Sequence, residues 1–157
     1  IDAVEWIAPY NDLAFGFHKI AKYYYAPGIQ EPGSALGLTV NLEAYNNLPN
    51  DLQNIIKYAA GDEAFRMLSE MTAGNAFSLD VLLNKHKVKI KSFPKDVTDA
   101  MFKAASEILI EKSKENEFTK KVYDSWSSYW TKATKLSNLT ELGYMNLRSN
   151  YKQKTET

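Results

Sequence analysis

From Leu52 to Leu83 the chain keeps one rhythm. Leu52, Ile55, Ile56 and Ala59 are followed by Met67, Leu68 and Met71, then by Ala76, Leu79, Leu82 and Leu83, at helical spacing. Pro49 closes the loop ahead of this segment, and Asn50 with Gln53 makes a capping-box pattern that opens it. Gly61 and Gly74 are the points where such a helix is expected to bend or break, each costing up to about 1 kcal/mol against alanine. A helix of this length needs apolar cover, so its neighbours decide the fold.

Those neighbours are read as follows. Residues 1–7, IDAVEWI, are expected to form a short buried strand. Residues 10–27 are expected to be a helix, with Asn11 or Asp12 as N-cap and Leu13, Phe17, Ile20, Ala21 and Tyr24 on its inner face. Ala26-Pro27-Gly28 stops it, because proline cannot continue a helix and glycine permits a left-handed turn. The segment IQEPGS (29–34) is a loop with a Pro-Gly turn signal. Within ALGLTVNLEAYNNL (35–48) no helix cap is evident, and Leu38, Val40 and Leu42 alternate with Thr39 and Asn41, so a strand is expected over 36–43. KVKIKS (87–92) alternates too and reads as an edge strand whose lysines discourage further pairing.

Beyond Phe93-Pro94, Asp96 is expected to cap a helix running to about Glu115, with Val97, Met101, Ala104, Ala105 and Ile108 buried. Phe118, Val122, Trp126, Tyr129, Trp130 and Ala133 mark another amphipathic helix. A last helical piece spans 139–148, and 149–157 form a polar tail. The class is therefore α/β, rich in helix. Three strands make a thin sheet that leaves much helical apolar surface uncovered, as in a fragment or an obligately paired chain.

Composition removes several functions. Lys+Arg and Asp+Glu both number 19, which argues against non-specific binding to nucleic acid or anionic membranes. The one basic run, KHKVKIK (85–91), reads as a solvated edge. There is no cysteine, so disulfide scaffolds, thiolate zinc sites and cysteine nucleophiles are excluded. No apolar run approaches the roughly 18 residues of a membrane span.

Chemistry-bearing residues are few. His18 and His86 have no Ser or Asp partner nearby in sequence and read as structural or solvent-facing. No GxSxG, HExxH, GxGxxG or P-loop pattern occurs. Glu5 and Glu31 suit a hard-cation site, which takes carboxylate and carbonyl oxygens, better than an acid–base pair. From the residues alone, exposed or salt-bridged glutamates remain the simpler account. Ten tyrosines and three tryptophans suit packing, an interface or a ligand cleft.

The stretches IDAVEW, YYYAPG, IQEPG and LPNDLQ, in that order, with ELGYMNLR near the end, give the chain a resemblance. It resembles the C-terminal portion of the solute-binding subunits of TRAP transporters (DctP-type), within the branch that binds 2-oxo acids and related monocarboxylates. The resemblance covers residues 1–148 and implies parts of both lobes of a two-lobe periplasmic protein, with a long lobe-crossing strand at 35–48. It implies a sodium or calcium ion held by Glu5, Glu31 and the backbone carbonyl of Trp6, with Trp6 and Glu31 also meeting a small organic acid. It further implies TRAP membrane subunits as partners, pairing into a homodimer through the C-terminal helices, and an N-terminal half of the same protein that carries the carboxylate clamp. No enzymatic activity and no nucleic-acid partner are expected. The rival expectation is a stand-alone helical interaction module with structural glutamates.

Overall fold

The structure, a computed structural model, describes residues 2–151. The helices are α1 (Pro9–Phe15), α2 (Leu42–Asn46), α3 (Asn50–Asn84), α4 (Lys95–Lys112), α5 (Glu117–Leu139) and α6 (Glu141–Asn150). A short 3-10 turn covers Phe17–Lys19, and the strands are β1 (Tyr23–Tyr25) and β2 (Lys89–Lys91). The chain divides into two compact units, with the boundary between Thr98 and Asp99, inside α4.

In the first unit, α3 runs unbroken for 35 residues. Gly61 and Gly74 neither break nor end it. Its start departs from the capping-box expectation: Pro49 is the N-cap, with no side-chain cap bond. Gln53 instead turns its Nε2 to the carbonyl of Leu48, at 2.9 Å. The helix feeds β2, which pairs in parallel with β1 in the register Tyr23↔Lys89, Tyr24↔Ile90 and Tyr25↔Lys91. Parallel pairing needs a long crossover, and α2 and α3 supply it. The sheet among the described residues has two strands, not three.

Three expected elements are different. Residues 2–7 carry no strand, because a strand needs a hydrogen-bonded neighbour and none of the described residues pairs with them. Residue 1 lies outside the described residues. The expected helix over 10–27 ends at Phe15. Gly16 takes the left-handed conformation (φ 75°) and its N–H closes on the carbonyls of Asp12 and Leu13. Tyr23-Tyr24-Tyr25 then lie on β1 rather than around a helix, with Tyr24 half-buried and its two neighbours exposed. Residues 35–41 form no regular element, so the lobe-crossing strand is not formed there. The missed cap is Asn41, whose Oδ1 accepts from the N–H of Ala44 at 2.9 Å and starts α2.

The second unit is helical as expected. α4 and α5 are separated by a turn before Asn116, which makes a full capping box with Thr119. α6 packs on α5, and Thr140 marks the junction by donating to the carbonyl of Leu136 at 2.9 Å. The expected buried face of α4 is not buried: none of its residues is.

The core is small. Among the described residues the buried hydrophobic side chains are Leu82 and Val88, where the end of α3 meets the start of β2. Phe65, Phe77 and Tyr58 of α3 are each more than 70% exposed. Burying one such side chain is worth roughly 1.5–3 kcal/mol, so the apolar rhythm of α3 is written for a surface that these residues do not provide.

Candidate functional site

Glu5 and Trp6 lie in the extended segment that enters α1. Ala8 is extended (φ −171°, ψ 170°) and Pro9 takes the first helical position, where its missing N–H costs nothing. The Trp6 ring meets Phe15 edge to face at 5.4 Å, and Phe15 stacks on Phe17 at 5.9 Å. Trp6 is therefore folded back over the helix that follows it.

α1 is anchored twice. The N–H of Tyr10 donates to Asn75 Oδ1 at 3.0 Å, and the Tyr10 ring lies against Gly74, where an added Cβ would stand 2.9 Å from its Cγ. Here glycine is required by close approach, not by turn geometry. The second anchor is the Tyr24 hydroxyl, which donates to buried Asp12 Oδ2 at 2.6 Å. Burial first, then the hydrogen bond and charge of Asp12, push the Tyr24 hydroxyl well above the usual phenol value. Sequence reasoning placed Asp12 as a cap and Tyr24 on a helix face, and so missed this pair.

Glu31 stands in the loop after β1, beyond the cis Ala26–Pro27 peptide. It is exposed, and its Oε1 accepts from Ser34 Oγ at 2.9 Å. Glu5 and Trp6 are exposed too. Among the described residues, no hydrogen bond or ring contact joins Glu5 or Trp6 to Glu31. Nor does any group of three or more His, Asp or Glu gather to hold a metal.

The donor chemistry of these residues nonetheless suits a hard cation. Two carboxylates and a backbone carbonyl are oxygen donors of the type sodium and calcium take. Calcium takes about six to eight oxygens, so Glu5, Trp6 and Glu31 fit as part of a coordination shell and not as the whole of one.

The histidines are not the isolated pair the sequence suggested. Their rings meet, with centroids 3.8 Å apart. No local signal foretells a contact between positions 18 and 86; the parallel pairing of β1 with β2 creates it.

Comparison with known proteins follows this geometry. The family model for bacterial extracellular solute-binding proteins, family 7 (DctP), matches residues 1–116. A monocarboxylate 2-oxoacid-binding periplasmic protein of Nostoc is 34% identical over 149 residues, covering 95% of this chain and 41% of that protein. A TRAP transporter solute-binding protein from Bordetella bronchiseptica has the same fold, with a TM-score of 0.88 and 34% identity over 94% of this chain and 44% of that one. Its crystal structure is a mixed-occupancy dimer, with co-purified calcium and picolinate in one active site and an apo site. A TRAP periplasmic solute-binding protein from Pseudoalteromonas atlantica, holding sodium and pyruvate, has a TM-score of 0.87 and 36% identity over 97% of this chain and 45% of that one. The chain thus spans less than half the length of each of these relatives. With the match extending over residues 1–116, the chain belongs to family 7 of the bacterial extracellular solute-binding proteins, the DctP family.

Proposed function

We propose that this chain is the C-terminal portion of a periplasmic solute-binding subunit of a TRAP-type secondary transporter. It captures a 2-oxo or 2-hydroxy monocarboxylate together with a metal cation and delivers it to the membrane subunits. The observation that carries this is the likeness, at 34 and 36% identity, to two solute-binding proteins that hold a small carboxylate with calcium or sodium.

Glu5 and Glu31 hold the cation through their carboxylates, and Trp6 through its backbone carbonyl. When bound, sodium or calcium supplies the positive charge that lets an organic anion approach two carboxylates. The Trp6 indole, packed on Phe15, offers an apolar wall to the acid, and Glu31 meets the same ligand through the shared cation. Residues 1–148 contribute to both lobes, which close on the ligand by a hinge; of the expected tail 149–157, Ser149 and Asn150 belong to α6 and 152–157 lie outside the described residues. The N-terminal half of the same protein supplies the carboxylate clamp and covers the exposed apolar surface of α3. The C-terminal helices pair two copies into a homodimer.

The activity is binding and delivery, not catalysis; the named relatives are solute-binding proteins. The alternative of a stand-alone helical interaction module leaves the likeness to ligand-holding proteins unexplained. Calorimetric titration of the full-length protein with pyruvate, in sodium or calcium and after chelation, tests the proposal. Binding lost on cation removal is expected; the absence of binding to any short 2-oxo acid in either cation overturns it.

A further inference from the structure

The basic run 85–91 is the exposed edge expected of it: Lys85, Lys87, Lys89 and Lys91 are exposed, His86 is half-buried and Val88 is buried beneath them. With the segment before β1 it borders an open pocket of about 280 Å³ lined by His18, Lys22, His86, Lys87 and Lys89, the lysines exposed at its rim. Backbone bonds hold its wall. The N–H of Lys89 donates to Lys22 O at 3.0 Å, and that of Val88 to Leu82 O at 3.0 Å. The N–H of His86 donates to Val81 O at 3.2 Å. Lys87 lies in the left-handed region (φ 57°), which disfavours any side chain. Strain of this kind persists where the surroundings over-determine it, and it clusters at binding sites.

The charge of this cavity is one-sided. No acid lines it, and among the described residues Lys22, Lys87 and Lys89 make no ion pair. Lys91, the next lysine on the strand, is occupied over the Tyr23 ring at 4.2 Å. Nδ1 of His18 is buried without a hydrogen-bond partner. Burial, then the His86 ring, Lys19 and Lys85, hold His18 below the ordinary imidazole value. Every charged group acting on His18 is thus basic.

We propose that this cavity, at the N-terminal ends of β1 and β2, binds a small tetrahedral oxyanion of the sulfate or phosphate class. Lysine ammoniums and imidazolium N–H groups are its donors. At roughly 30 Å³ per water, the cavity has room for such an ion with part of its hydration. A bound dianion offsets the repulsion among the lysines and favours the charged form of His18, which burial and its basic neighbours otherwise disfavour, so affinity rises as pH falls. The site is separate from the cation ligands, since Glu31 follows the opposite end of β1. It stands whether or not the cation assignment does.

The test is a sulfate titration of the full-length protein at fixed ionic strength, followed by histidine ring NMR. Sulfate stays doubly charged across the range, so any pH dependence belongs to the protein. Shifts of the His18 and His86 rings are expected, with affinity about tenfold higher near pH 5.5 than near pH 8. Lys22→Gln is expected to weaken binding about tenfold. Lys87→Gly removes another charge while relieving the left-handed backbone, so it keeps the measurement open if Lys22→Gln fails to fold. A parallel arm with anionic phospholipid vesicles separates a headgroup from a free ion: sulfate-competed vesicle binding assigns the former, sulfate binding alone the latter. Rings that do not respond, affinity equal at both pH values, or affinity unchanged in both variants overturns the proposal.

Discussion

The Tyr24 hydroxyl donates to Asp12 Oδ2 at 2.6 Å, tying β1 to α1. The other carboxylate oxygen, Asp12 Oδ1, is buried with no partner, so the phenol is the hydrogen-bond donor to this buried group. Tyr24→Phe removes it and leaves both oxygens unsatisfied, at a cost of about 1–3 kcal/mol. Urea unfolding of the full-length protein measures this. A variant as stable as the parent would show that Asp12 finds another donor.

The same pair carries a pH signature. A phenol held above its ordinary value is favoured in its neutral form by the fold. The unfolded chain loses its proton near pH 10 while the folded chain keeps it, so the stabilisation is complete below pH 10 and is lost as pH rises above it. Stability is therefore expected to fall more steeply above pH 10 in the parent than in Tyr24→Phe. Parallel curves in denaturant titrations at rising pH would remove Tyr24 as the cause.

Gly74 and Gly61 sit in one helix and are expected to respond oppositely to alanine. At Gly61 nothing lies within 4 Å of an added Cβ, so Gly61→Ala is expected to stabilise by up to about 1 kcal/mol from helix propensity alone. At Gly74 the new methyl meets the base of the Tyr10 ring at 2.9 Å. The ring is held near its backbone by the Tyr10–Asn75 bond and has little freedom to retreat. Gly74→Ala is expected to destabilise by about 1–3 kcal/mol through overpacking. Thermal or urea midpoints of the two variants decide it, and shifts of the same sign would refute the packing argument.

The proposed cation ligands are testable one at a time. Glu5→Gln and Glu31→Gln each remove a charged oxygen donor and are expected to weaken calcium binding by about tenfold or more in the full-length protein. Both side chains are exposed, so neither change is expected to alter stability. Ser34→Ala, which frees Glu31 from its hydrogen bond, is expected to have a smaller effect. Calcium affinity indifferent to both glutamates would place the ion elsewhere.

On α5, Trp126 stacks with Trp130 at 6.0 Å and tilts against Tyr123 at 5.8 Å, yet both tryptophans stay about half exposed. Large aromatic surface left open on a helix fits a partner chain. Trp126→Ala is therefore expected to shift sedimentation of the full-length protein towards monomer. An unchanged profile would place the dimer contact away from this stripe.

The helices were largely legible in the sequence, because their signals are local. Asn116 caps α5, the apolar rhythm of 52–83 spans α3, and a helix satisfies its own backbone groups once started. The strands were not. The buried strand read at 1–7 and the alternating strand read at 36–43 had local support, yet a strand is a contract with a neighbour, and the described residues offer those segments none. β2 was found because its lysine alternation is local, but its partner β1 was hidden inside a presumed helix that Gly16 cuts short.

The same division runs through the candidate sites. By itself the sequence determined the oxygen-donor character of Glu5 and Glu31, the absence of thiol chemistry and the motif order that places the chain in its family. Only the tertiary structure decided that Tyr24 holds Asp12, that Tyr10 needs Gly74, and that two histidines far apart in the chain meet, with tilted rings, beside unpaired lysines. Those contacts depend on the α3 crossover and the β1–β2 register. A register is a long-range relation, and no short window of sequence contains one.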